Sequence, residues 1–228
     1  IIDRLRGPLL NEEDNPIISD YEYDQLTQEL RKLENDYPEL VTENSPSQKV
    51  GGKAREGGVM VKHRVPMLSL LDVFNTDEVK SFVAKTSGEN IDYVVEQKID
   101  GLSVSLRYEN GKFVQGITRG DGINYGEDIT DNLKMISDVP LELKTKVEYL
   151  ELRGEVYMTF TAFDKANELQ EERGERLFKN PRNCAAGTLR QLNPEVVKER
   201  NLSMFVFNVQ DANGITFKTH SESLEWLR

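Results

Sequence analysis

The residues best suited to covalent chemistry lie in one short run, where Lys98 stands two positions from Glu96 and two from Asp100, and Gly101 closes the stretch. A lysine attacks as a nucleophile only when neutral, and an unperturbed pKa of about 10.4 leaves about one lysine in a thousand neutral near pH 7. The two carboxylates favour the ammonium form, so activation requires burial, neighbouring cations such as Arg119 or Arg182, or a bound metal ion. An ion-paired lysine at a strand edge has the same local sequence, and taken alone the run favours that plainer reading.

Other groups could hold a ligand. Asp20, Tyr23 and Asp24, spaced i, i+3 and i+4, would share one helix patch, suited to a small polar ligand or simply to acidic stabilisation of a helix N-terminus. The glycines of Thr118-Arg119-Gly120-Asp121-Gly122 could admit a phosphate to backbone amides beside the Arg119 charge, although a tight turn needs them too. Glu151, Arg153, Glu155 and Tyr157 alternate, so they share a strand face that either lines a cleft or meets water. Arg182 and Arg190, flanking a stretch of small residues, could clasp phosphates or merely cap and solvate a helix.

These groups need elements to position them. Alternation predicts a strand from Asp92 to Gly101, with Glu96, Lys98 and Asp100 on one face. Asn110-Gly111, between apolar runs at 102–109 and 113–118, predicts a hairpin into which the lysine strand leads. Further strands are expected at 149–158 and 202–209. An amphipathic helix is predicted from Ser19, with Glu22 completing a capping box, leucines at 26, 30 and 33, and a stop at Tyr37-Pro38. Other helices are expected at 76–86, capped by Thr76 and packed in the core, at 161–173 with Phe163, Ala166 and Leu169 inward, and at 221–228. Residues 41–58 carry Pro, Ser, Gly and Lys without a period, which predicts a linker. The boundary near Ser45 divides the α+β chain into a small helical domain, 1–45, and a β-rich domain, 46–228.

At 228 residues the chain can bury one sizeable core, and its net charge of -11 disfavours a surface that grips nucleic acid throughout. A single cysteine, Cys184, excludes an internal disulfide and suits a reducing cytoplasm. No apolar run approaches a membrane span, and the start at Ile1 has neither an initiator methionine nor a signal-peptide pattern, so a fragment is expected.

Taken together, the motifs resemble the N-terminal half of bacterial NAD-dependent DNA ligases from Asp14 onward. The segment 14–24, containing Asp20, Tyr23 and Asp24, is similar to the one that holds the nicotinamide mononucleotide end of NAD, and 96–101 resembles the signature of covalent nucleotidyltransferases. Residues 118–122, Leu152 to Val156, and the stretch from Asn180 through Arg190 to Leu192 extend the match. The resemblance implies an antiparallel, ATP-grasp-like nucleotidyltransferase domain, truncated at its C-terminal end. It implies that Lys98 attacks the α-phosphate of NAD, that Glu96 reads adenine beside Ser69 and Leu70, and that Arg119 and Glu155 contact the ribose and its neighbours. Asp100, Gly101, Arg182 and Arg190 complete the implied nucleotide site.

The implied cofactors are NAD and Mg2+, with the family's zinc site outside this chain. The implied partner is nicked duplex DNA, engaged during replication and repair by a full-length, monomeric enzyme that does not enter membranes. A relative that takes AMP from ATP, or a non-catalytic NAD-binding paralogue, would share part of the pattern. The chain departs from the family at Leu10 and Asn11, where adjacent aromatics are usual, and at Lys179 and Cys184, usually alanine. The family's later Asp-Gly-Val-Val-Ile-Lys segment is absent.

Overall fold

A computed structural model describes residues 20–42, 45, 58–86 and 91–228, apart from the side chains of Asp20, Tyr21, Tyr23 and Asp24. Its strands are β1 (Met60–Lys62), β2 (Leu102–Glu109), β3 (Lys112–Thr118), β4 (Tyr125–Glu127), β5 (Tyr149–Tyr157) and β6 (Ser203–Ala212). The helices are α1 (Asp20–Asp36), α2 (Thr76–Thr86), α3 (Thr130–Leu133), α4 (Phe160–Glu172), α5 (Pro181–Leu189), α6 (Glu195–Glu199) and α7 (His220–Trp226). The fold is thus a mixture of helices and antiparallel sheet, as expected.

The predicted hairpin forms. Asn110 and Gly111 take φ values of 50° and 77°, the left-handed pair that a two-residue turn needs between right-twisted strands. The strands β3-β2-β5-β6 make one antiparallel sheet. Register sets Leu106 opposite Leu152 and Tyr108 opposite Leu150, which gathers the apolar residues on one face. That face meets Ala162 and Ala166 of α4 and Cys184, Ala185 and Leu189 of α5, all buried. Each fully buried leucine there contributes about 1.5–3 kcal/mol of transfer free energy. Cys184 therefore acts as a small apolar core residue, which accounts for a position the sequence left unexplained.

The opposite face carries Ser103, Ser105 and Arg107 of β2 against Glu155, Arg153 and Glu151 of β5. It is not a solvated face: Glu151 is 0% and Arg107 7% exposed. The second sheet, β1-β4, and residues 62–70 contribute to its cover. That segment is held by polar anchors. Arg107 Nη2 donates to the Lys62 carbonyl, the Arg64 guanidinium lies over the Tyr149 ring, and Arg153 Nη2 donates to the Leu68 carbonyl.

Three expectations need correction. Residues 91–100 belong to no strand, and Val95 is 94% exposed. Alternation reveals which side chains would share a face, but only hydrogen bonds to a neighbouring chain make a strand, and none of the described strands pairs here. The α2 cap is Asn75, whose Oδ1 accepts from the amides of Asp77 and Glu78, and not Thr76, the first helical residue. Nor is α2 core packing, because none of its residues is buried. In the covering segment between Val65 and Leu70 only Met67 is buried, while Leu68 and Leu70 are exposed.

The helix predicted from Ser19 is present as α1, although Ser19 lies outside the described residues, as do Leu10 and Asn11. The helix expected from 161 starts at Phe160 behind a Thr159 cap, with Ala166 buried as foreseen. Thr219 caps the last helix.

Candidate active site

Beside the polar face of the main sheet lies a cleft of about 590 Å3, lined by residues from distant parts of the chain. Ser69 and Leu70 come from the anchored segment, Glu96, Lys98 and Gly101 from the run that leads into β2, Arg119 from the turn after β3, Glu155 from β5, and Arg182 and Arg190 from α5 and its end. Asp100 does not line it but pairs with Arg182 at 3.4 Å. Asp20, Tyr23 and Asp24 fall in the first turn of α1, with their side chains outside the described ones.

Gly101 has a steric reason for its identity. A Cβ there would stand 2.1 Å from the carbonyl oxygen of Val156, so only glycine lets the chain carrying Lys98 cross β5 this closely. The following turn uses its glycines structurally. Gly120 and Gly122 take φ values of 54° and 74°, and Asp121 Oδ1 accepts from the amides of Ile123, Asn124 and Tyr125. Partial burial would raise the Asp121 pKa, but these three donors win and hold it below the usual carboxylate range. The tight turn is therefore the role seen for this motif. It aims Arg119, whose Nε donates to the Met67 carbonyl at 3.0 Å and whose Nη2 donates to Ser69 Oγ at 2.6 Å.

Charge within the cleft runs against the charge of the whole chain. Lys98, Arg119, Arg153, Arg182 and Arg190 line it with the carboxylates of Asp72, Glu96, Glu127 and Glu155. Burial is the largest influence on Glu155 and holds its carboxyl above the usual range, while the Ser103 hydroxyl, the Lys98 ammonium, Arg182 and the Gly101 amide draw it partway back. Burial, followed by repulsion from Arg119, holds the Arg153 guanidinium below its usual range. Such a set of fixed donors suits an anionic ligand, and two of the arginines already pair with carboxylates: Arg190 Nε lies 3.1 Å from Glu127 and Arg182 pairs with Asp100.

Both carboxylates flanking Lys98 thus have partners, Arg182 for Asp100 and His220 for Glu96 at 3.0 Å. Arg182 brings a positive charge to Asp100, whereas His220 engages Glu96 through a hydrogen bond. The side chain of Lys98 is itself exposed, so burial is not what the fold supplies. Arg153 lines the cleft, in keeping with the cleft alternative for the β5 row. Ser103, Phe205 and Phe207 line it too, and the two phenylalanines read in the sequence only as part of an apolar strand.

The family model described as the NAD-dependent DNA ligase adenylation domain matches residues 58–228. The chain belongs to this family. A second model, the DNA ligase-like N-terminal NAD+-binding domain, matches residues 11–51 of the same adenylation-family chain. Proteins called DNA ligase resemble it closely: that of Acetivibrio thermocellus is 55% identical over 219 residues, covering 95% of this chain and 33% of that protein. Those of Clostridium kluyveri and Caldicellulosiruptor bescii are 52% and 53% identical, covering 94% and 95% of this chain and 33% and 32% of their own lengths. The chain spans about a third of the curated relatives it matches. The cleft lies within the part assigned to the adenylation domain, and every lining residue falls between Met60 and Phe207.

Proposed function

We propose that this chain is the nucleotide-loading part of a DNA ligase that consumes NAD. Lys98 gives up a proton to solvent, its Nζ attacks the α-phosphorus of NAD, the N–P bond forms, and the bond from that phosphorus to the bridging oxygen breaks, the oxygen leaving with nicotinamide mononucleotide. The released nucleotide leaves and AMP remains on the lysine. Arg119, Arg153, Arg182 and Arg190 stabilise the phosphate charge, Glu155 and Arg119 hold the ribose side, and Glu96 reads the adenine between Ser69 and Leu70. Asp20, Tyr23 and Asp24 hold the leaving nucleotide. The observation that carries this reading is the convergence of an exposed lysine, a desolvated carboxyl and four arginines in one cleft.

Magnesium belongs to the same proposal. Among the described residues no group of three or more histidine, cysteine or acidic side chains could hold a metal, so the ion fits as one carried largely by phosphate oxygens and water. When bound it neutralises charge on those oxygens. We further propose a helical NAD-binding domain over 1–45 and an incomplete, ATP-grasp-like adenylation domain over 46–228. The full-length protein would act as a cytoplasmic monomer, passing AMP to the 5′-phosphate of nicked DNA. Among the described residues, no helix is long and apolar enough to cross a membrane.

Support for NAD over ATP comes from the NAD+-binding-domain match at 11–51. The test is intact-mass analysis of the full-length protein after incubation with NAD or ATP and magnesium, followed by peptide mapping. One AMP on Lys98 from NAD, and none in Lys98→Ala, is the expected result. An adduct formed only from ATP, or mapped to another residue, sinks the proposal.

A further inference from the structure

Glu96 reaches the cleft on a run without strand hydrogen bonds, so its carboxylate needs an orienting contact from another element. His220, at the start of α7, provides one: its Nε2 lies 3.0 Å from Glu96 Oε2. A carboxylate only accepts, so Nε2 carries the hydrogen, in the neutral tautomer and in the imidazolium alike. His220 does not line the cleft itself and therefore holds Glu96 from outside it.

The support behind His220 is firm. Thr219 Oγ1 accepts from the Glu222 amide at 3.1 Å, the Glu222 carboxylate accepts from the Lys218 amide at 2.7 Å, and Ser223 Oγ donates to the His220 carbonyl at 2.7 Å. These reciprocal bonds fix the first turn of α7. Trp226, at its far end, packs on the hydrophobic core. A packed element thus presents a donor to a carboxylate on an unpaired one.

We propose that His220 is a positioning residue for base selection: by engaging one oxygen of Glu96, it sets the other to accept from the exocyclic 6-amino group of adenine. The inference rests on the reading of Glu96 as the adenine reader. Hypoxanthine carries a carbonyl oxygen in place of that amine, so a correctly held carboxylate repels it, whereas a freely rotating one discriminates less.

The experiment compares adenylation of the full-length protein by NAD and by nicotinamide hypoxanthine dinucleotide, in wild type, His220→Gln, His220→Asn and Glu96→Gln. The glutamine amide reaches the position of Nε2, and the shorter asparagine amide does not. In His220→Asn the preference for NAD should fall about tenfold, as expected for loss of one well-aimed charged hydrogen bond, while His220→Gln stays within about twofold of wild type. Glu96→Gln should lose most of the preference. If His220→Asn keeps the preference, or slows both substrates equally, while Glu96→Gln loses it, the role given to His220 is overturned. A preference intact in Glu96→Gln overturns the adenine reading beneath it.

Discussion

Arg107 Nε lies 3.3 Å from Glu151 Oε1, and the two side chains are only 9% and 1% exposed. The pair ties β2 to β5 beneath the polar face, and its other contacts reach outward. Glu151 also accepts from Ser105 Oγ at 2.7 Å and from the Tyr149 hydroxyl at 2.6 Å. Arg107 donates to Gln115 and to the carbonyl of Lys62, at the end of β1. A buried ion pair therefore anchors the segment that continues to Ser69 and Leu70 in the cleft.

Removing one partner of such a pair strands the other charge. Glu151→Ala is expected to cost about 3–5 kcal/mol in urea unfolding, whereas Arg107→Met with Glu151→Leu should recover most of that loss. A double-mutant cycle measures the coupling, and independent, additive losses would show that the pair is not the anchor.

Tyr149 makes the same hub sensitive to alkali. Burial, then the hydrogen bond to Glu151, pushes its hydroxyl from 10.0 up to about 12. Because the folded form holds its proton more tightly, its contribution to stability is complete below pH 10.0 and is lost as pH rises through about 12. Tyr149→Phe should flatten the decline in unfolding free energy over that interval, as measured by urea titrations at successive pH values. An unchanged slope would remove Tyr149 as its source.

Glu155 gives the corresponding effect at acid pH and separates stability from chemistry. Its carboxyl is held above 4.5 chiefly by burial, so its contribution to stability is complete below 4.5 and is lost as pH rises through the folded value. Glu155→Gln, which cannot ionise, should gain stability relative to wild type as pH climbs from 4.5 toward neutrality. Adenylation of Lys98 should fall about tenfold or more, because the carboxylate proposed to hold the ribose side is gone. Paired unfolding and AMP-transfer measurements check both halves; equal loss of stability and activity would argue for a scaffold role alone.

Gly101→Ala probes the crossing of β5. With a Cβ directed 2.1 Å from the Val156 carbonyl oxygen, the backbone must shift. Overpacking of this kind costs about 1–3 kcal/mol, and the shift begins three residues from Lys98. Adenylation at a temperature where the variant remains folded should therefore fall about a hundredfold, the scale expected for an ångström of misplacement. Full activity in that variant would show that the crossing does not position the lysine.

Local patterns in the sequence were enough for the elements with short-range causes. Asn110-Gly111 specified its hairpin because few residues tolerate that turn, and alternation along 149–158 specified which side chains of β5 share a face. The family motifs named Lys98, Glu96, Arg119 and Glu155 together, and they line one cleft. What tertiary structure alone decided is where charges and pairing partners end up. Whether the Lys98 run pairs as a strand depends on a neighbouring chain, so alternation could not tell. Whether the β5 row meets water depends on the segment from Lys62 to Leu70 folding over it. That Asp100 and Glu96 are matched by Arg182 and His220 joins positions far apart in sequence, and no periodicity encodes such a contact. The same separation hid the steric demand on Gly101, which is set by a carbonyl on another strand.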